Sequence, residues 1–245
     1  MICFSCLVPY SPEFIFQNNE ENLKIKKTTQ SLEKISLNLK EAQPEVLLII
    51  SPSSYALKDA FTLNLSQNYK SNFKLLGDLK TKIVFNGDLE LSYRIKERFE
   101  TKMVEEDESL ILTTQPDLEQ NFSIPLLFFS KKYHSFSLIP ISPCSLSFQK
   151  HFEFGKKLRE ELVLTNKKIA VIASVNLLEN SFEKNKNIVK LIKDKDFEEL
   201  FKLNSELKSD ISSILILLGI LNNSNYKIET LFSQNHYFTA KFNLI

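Results

Sequence analysis

Near-continuous apolar runs and helix-spaced apolar stripes follow one another along this chain, and together they predict an α/β protein. The run Val46 to Ile50 (VLLII) breaks at Ser51 and Pro52, and Lys168 to Ala173 (KIAVIA) is a second such run. Both have the composition of strands buried on both faces of a parallel sheet. Ile2 to Val8 is a third short apolar strand, ended by Pro9 and Pro12. Before Val46, the stretch Asn22 to Gln43 carries Leu23, Leu32, Ile35 and Leu39 at helical spacing among lysines and glutamates, and Pro44 stops it. A right-handed crossover through that helix sets Ile2 to Val8 parallel to Val46 to Ile50. Their carboxyl ends then share one edge, with Tyr10 and Ser53 as neighbours across a cleft. Loops at that edge are where open α/β sheets build their sites.

The rest of the chain continues the pattern. Ala60 to Leu65 alternates as a half-exposed strand. Gly77 and Asp78 mark a loop, Lys82 to Phe85 a short strand and Asn86-Gly87 a turn. Leu91, Ile95 and Phe99 give an amphipathic helix over Asp88 to Glu100, with Asp88 as its N-cap. Acidic Glu105 to Glu108 leads to a strand at Ser109 to Thr113, and a loop, Thr114 to Ser123, precedes an apolar helix, Ile124 to Tyr133. Phe136 to Ile141 reads as a strand. Ser147 to Val163 reads as a long helix with His151 partly exposed on it. After the polar loop Ser174 to Ser181, helices are expected at Asn187 to Lys193, Phe197 to Leu203 and Asp210 to Leu221. Tyr226 to Phe232 and Tyr237 to Leu244 form a hairpin closed through His236. No linker-like segment and no internal repeat interrupts residues 1–245, so one continuous domain is expected.

Composition narrows the class. The 245 residues carry 31 Lys+Arg against 30 Asp+Glu, a net charge of +1, so no overall field draws in nucleic acid or an anionic membrane. The opening MICFSCLVPY has no basic n-region or small-residue cleavage site, and no apolar run reaches the roughly 20 residues of a membrane span. Three cysteines argue against a disulfide framework; a soluble protein of the reducing cytoplasm is the expectation. Cys3 and Cys6 form a C-x-x-C inside a strand, where positions three apart point to opposite faces, a geometry for neither zinc nor redox chemistry. Only four glycines occur, so there is no Gly-rich phosphate cradle. Ser53 and Ser174 lack the strained glycine elbow of a serine nucleophile.

Read in order, the segments LVPYSPEFI, VLLIISPSS, KDAFTLNLS, LLGDLKTKIVFNGDLELSYRIKE, IPLLFFSKK, SLSFQKHFEFGKKLRE, KKIAVIASVNLLEN and SILILLGIL resemble one family. It is the LigB-like family of class III extradiol ring-cleavage dioxygenases, and within it the Memo-like bacterial proteins of the AmmeMemoRadiSam system. The resemblance runs from Met1 to about Phe242. It implies a single-domain α/β fold, a mostly parallel central sheet flanked by helices in a phosphorylase/hydrolase-like sandwich. It also implies a non-haem iron(II) held at the strand ends by two histidines and a carboxylate, with a further histidine as acid/base. Such a facial ligand set leaves open positions for a catecholate and dioxygen.

Carried over residue by residue, the family's V-P-H-P-P reads Val8-Pro9-Tyr10-Ser11-Pro12 and its S-P-H-G reads Ser51-Pro52-Ser53-Ser54. D-H-G aligns approximately with Glu119-Gln120-Asn121, and A-S-G-D-L-S-H with Ala173 to Glu179. Tyr10, Ser53, Gln120 and Glu179 therefore stand where the resemblance implies histidines. A phenol, a hydroxyl and an amide are poor iron(II) donors, so no cofactor is expected. Tyr10, Ser53, Glu119, Gln120, Asn176, Glu179 and His236 are the cleft candidates, with Glu119 and Glu179 as a conceivable carboxylate pair for proton transfer.

Three readings stay open. The first is a degenerate, non-catalytic binding or interaction protein. The second is an oxidoreductase-type or otherwise remodelled enzyme acting on a small, for instance aromatic, substrate in the same cleft. The third is a different metal site built from residues such as Glu179, His236 and Cys144. By family analogy the partners are an AMMECR1-like protein, a radical SAM protein or a second copy of the chain.

Overall fold

Five apolar residues in a row at Val46–Ile50 (β2) are buried on both faces because the strand lies in the middle of an eight-stranded sheet. The computed structural model describes residues 1–15, 23–102, 109–177, 182–203, 208–234 and 236–245. Its other sheet strands are Ile2–Val8 (β1), Ala60–Asn64 (β3), Ser109–Thr113 (β6), Ser137–Ser142 (β7), Ile169–Ser174 (β8), Tyr226–Gln234 (β9) and Tyr237–Leu244 (β10). They run in the order β6-β3-β7-β2-β8-β1-β10-β9. A separate antiparallel hairpin joins Asn68–Phe73 (β4) to Asp78–Asn86 (β5).

The central strands β7, β2, β8 and β1 are mutually parallel, and β9 and β10 close the sheet as an antiparallel pair beside β1. β1 and β2 point the same way, as the crossover argument requires, but β8 is inserted between them and pairs with both. Their carboxyl ends still share one edge.

Helices cover both faces. Leu23–Ala42 (α1) and Gln120–Ser130 (α3), with the hairpin, pack on one; Leu89–Lys102 (α2), Phe148–Leu162 (α4), Phe182–Asp194 (α5), Phe197–Phe201 (α6) and Lys208–Leu221 (α7) pack on the other. α4 and α7 cross at Gly155 and Gly219, where a Cβ on either glycine would lie 2.2 Å and 2.1 Å from the partner helix's carbonyl oxygens, those of Ile216 and Phe152. Asp88 caps α2 by accepting from the Leu91 amide at 3.0 Å. Among the described residues no helix is long and apolar enough to cross a membrane.

Several expectations change. β3 is buried, Thr62 included, because β6 and β7 flank it, so it is not half-exposed. Gly77 does form the expected turn, left-handed after the short 3-10 helix Lys74–Leu76, but Asp78, the short strand at Lys82 and Asn86 of the expected Asn86-Gly87 turn all belong to one long strand, β5, and its partner β4 (NYKSNF) has no alternation to announce it. α3 begins four residues before Ile124, because its first turn is the polar Gln120-Asn121.

His151 is fully buried, not partly exposed: Nδ1 lies 2.7 Å from the Ser147 carbonyl, Nε2 lies 3.2 Å from that of Cys144, and the ring stands edge-on to Phe61. Cys3 and Cys6 do not face opposite layers. A bulge between Ile2 and Phe4 shifts the phase, and both thiols lie against the α1 and α3 layer. Burial pushes both thiols above the ordinary cysteine range, and among the described residues no disulfide joins any of the three cysteines. The Glu105 to Glu108 stretch lies outside the described residues.

Candidate functional site

The site begins where β1, β2 and β8 end. Past β2, Pro52 breaks the strand and the chain turns: the Ala56 amide donates to the Ser53 carbonyl at 3.2 Å and the Tyr55 amide to Ser53 Oγ at 3.1 Å. This local turn presents Ser53 and Ser54 side by side. Both converge on Glu119. Ser53 Oγ donates to Glu119 Oε2 at 2.5 Å, the Ser54 amide lies 3.1 Å and 3.2 Å from the two carboxylate oxygens, and Ser54 Oγ donates to Oε1.

Glu119 is the N-cap residue of α3, with extended backbone, yet its side chain does not cap its own helix. It reaches across to the β2 loop instead. The segment leading to it is held from two sides. Asn64 exchanges hydrogen bonds with the Gln115 backbone at 2.7 Å and 2.9 Å, and the Lys70 backbone pairs with Pro116 and Leu118 at 2.7 Å and 2.9 Å. That leaves the Asp117 carboxylate exposed to solvent.

On the other flank, Asn176 continues the β1–β8 ladder with its side chain. The Val175 amide donates to the Val8 carbonyl at 2.9 Å; one step further the Tyr10 amide donates to Asn176 Oδ1 at 3.2 Å, and Asn176 Nδ2 donates to the Tyr10 carbonyl. Asn176 is thus a tie that positions Tyr10. Asn176→Ala removes both bonds and is expected to lower stability by about 1–2 kcal/mol, with faster hydrogen exchange at the Tyr10 amide as the local readout. Ser174 Oγ similarly donates to the Asn121 carbonyl at 2.7 Å, pinning α3 to β8.

These ties frame an open cleft of about 660 Å³ walled by Tyr10 and Pro12 on one side, Tyr55 on another, and Asp117 to Asn121 with Ile124 on the third. A narrower recess of about 20 Å³, room for a water molecule, adjoins it and is lined by Ser53, Thr62, Asn64 and Ser142. The two share Tyr55, Asp117, Leu118 and Glu119 as walls.

Of the residues expected from sequence, Tyr10, Glu119 and Gln120 line the cleft, Ser53 lines the recess and is joined to the cleft through Glu119, and Asn176 stands behind Tyr10. His236 does not line the cleft: its carbonyl accepts from the Leu177 amide at 2.9 Å and its ring rests on Tyr237 at 3.9 Å. Cys144 packs in the opposite layer, its sulfur 4.0 Å from His151 Nε2, so a site joining Cys144 to His236 is not formed. Glu179 lies outside the described residues. Tyr55, Asp117 and Asn121 were not anticipated as wall residues. They sit in aperiodic stretches, where only the tertiary fold shows which side chains meet. Among the described residues no group of three or more His, Cys, Asp and Glu side chains is placed to hold a metal ion.

Comparison with known proteins gives a consistent picture. A family model for the catalytic LigB subunit of aromatic ring-opening dioxygenase matches residues 6–244. Protein CA_C1420 of Clostridium acetobutylicum is 23% identical over 250 aligned positions, which cover 92% of this chain and 53% of that protein. The chain therefore spans about half the length of that curated relative. The crystal structure of uncharacterized protein JW3007 from Escherichia coli K12 superposes with a TM-score of 0.69 at 14% identity, covering 98% of this chain and 99% of the other.

Proposed function

Because the chain belongs to the family of catalytic LigB subunits of aromatic ring-opening dioxygenase, we propose that it is a degenerate member whose cleft binds a ligand or partner without the iron(II) chemistry of ring opening. The observation that carries this reading is the Ser53–Glu119–Ser54 clamp at the end of β2. A facial iron site needs two neutral imidazoles and a carboxylate converging on one point. The cleft walls offer two phenols, amides and two carboxylates, one of them engaged by two serine hydroxyls and an amide. This donor set does not fit the group. Three cysteines without a disulfide among the described residues agree with a reducing, cytoplasmic setting, and the Memo-like resemblance makes an AMMECR1-like or radical SAM protein the first partner to try. Self-association is the next.

Oxygen consumption tests the reading. Protein loaded anaerobically with iron(II) and then mixed with catechol in aerated buffer is expected to take up no more oxygen than the same iron without protein. Sustained, protein-dependent uptake overturns the proposal and favours an enzyme in the same cleft.

A further inference from the structure

The walls of the cleft carry charge of one sign. Asp117 and Glu119 contribute two carboxylates, Tyr10 and Tyr55 contribute phenol rings, Gln120 and Asn121 contribute amides, and no lysine, arginine or histidine is among its described wall residues. At the end of β2, the Ser51 amide continues the ladder to the Ile141 carbonyl at 3.1 Å, so strand geometry extends through Ser51. The alternation that turns Leu47 and Ile49 toward the α1 and α3 layer turns Ser51 the same way. Its hydroxyl is wholly buried and has no hydrogen-bond partner among the described residues.

A cleft of about 660 Å³ matches a small organic ligand. Its electrostatics repel carboxylates and catecholates and attract cations. Phenol faces attract a planar cation laid over them, and a carboxylate free of protein partners accepts its N–H groups as charge-assisted bonds. Asp117 is such a carboxylate: it is exposed and, among the described residues, its side chain makes no ion pair.

The geometry points to a small-molecule ligand bearing a planar cation, an amidinium or guanidinium on a flat apolar body, with its charge on Asp117 and its plane against Tyr10 and Tyr55. This inference rests on the iron-free reading of the same cleft, because a bound dication would reverse the sign of the local field and favour anions.

Benzamidine, benzamide and benzoate share one ring and differ in charge, and calorimetric titration of each into the full chain, with metal content measured on the same sample, tests the proposal. Benzamidine is expected to bind about tenfold more tightly than benzamide and benzoate more weakly than either. Asp117→Asn is expected to remove most of the benzamidine advantage while leaving benzamide unchanged, and added salt to weaken benzamidine alone. Equal binding of the three, a preference for benzoate, or no benzamidine binding up to about 10 mM in metal-free protein overturns the cation assignment and leaves the iron-free reading standing. Stoichiometric metal in the sample overturns the iron-free reading itself, and the cation assignment with it.

Discussion

Gly155→Ala and Gly219→Ala are each expected to destabilise the protein by about 2–4 kcal/mol, toward and beyond the upper end of ordinary overpacking. The reason is backbone geometry. The added methyl would sit 2.2 Å from the Ile216 oxygen in one case and 2.1 Å from the Phe152 oxygen in the other, where no rotamer change gives relief. α4 and α7 must move apart, and around them pack Phe154, stacked on Phe61 at 3.7 Å, and the wholly buried Ile214 to Leu218. Thermal unfolding followed by circular dichroism should fall by roughly 5–12 °C for either variant. The double variant should lose less than the sum, because each alanine Cβ lies 3.0 Å from the facing glycine Cα and one separation of the helices serves both. A loss under about 0.5 kcal/mol for either single variant would contradict this packing.

Asp88 is the second point where one side chain holds several elements. Its carboxylate accepts from the Leu91 amide at the start of α2, from Ser137 Oγ on β7 at 2.9 Å, and from Lys167 Nζ ahead of β8 at 2.9 and 3.0 Å. Asp88→Ala removes the cap and leaves Ser137 and Lys167 without these contacts, and should cost about 2–3 kcal/mol in urea unfolding. Burial works against ionisation of Asp88, but the hydrogen bonds from Leu91, Lys167 and Ser137 outweigh it and hold the carboxyl below its usual range.

The folded state therefore favours the charged form. The stabilisation is complete above the unfolded-state pKa of about 3.9 and is lost as pH falls through the lower folded-state value. Asp88→Asn keeps an oxygen for the cap but cannot titrate. Its deficit relative to the native chain should be largest near neutral pH and shrink below about pH 4; a deficit constant down to pH 2.5, roughly, would show that Asp88 is not the titrating group.

The strands that frame the site were readable because burial on both faces leaves almost no freedom of composition: β2 and β8 are apolar at nearly every position, and their ends are marked by Ser51-Pro52 and Ser174. The helices α1 and α4 announced themselves by stripes, and Asp88 by its place before the stripe of α2, where it accepts from a first-turn amide; Ser147, read as helical, is the cap of α4. What stayed hidden has a common cause. β4 is a short polar strand whose one fully buried tyrosine, Tyr69, is held by bonds to Asn64 and Ser66 that lie outside any periodic pattern. The start of α3 was masked by its polar first turn, and with it the fact that Gln120 and Asn121 are helical wall residues. His151 looked exposed because its partners are backbone carbonyls and the ring of Phe61, none of which a stripe reveals.

At the site itself, topology placed Tyr10 and Ser53 at one sheet edge, and the structure sets Tyr10 in the cleft and Ser53 in the adjoining recess, with Glu119 in the wall of both. The clamp spans 66 residues of sequence, and its existence depends on where α3 begins. Asn176, read as a cleft candidate, serves as a strand tie behind Tyr10, since the side-chain amide is the same shape and polarity as the peptide group it pairs with.

The most decisive experiment is metal stoichiometry: load the purified chain anaerobically with excess iron(II), desalt it, and measure iron per chain by elemental analysis. A cleft in which Glu119 is clamped by Ser53 and Ser54, with no imidazole among its described walls, should retain far less than one iron per chain. Retention of one iron per chain, lost again in Tyr10→Phe or Asp117→Asn, would place a working metal centre at this cleft and contradict the reading of the family site as emptied.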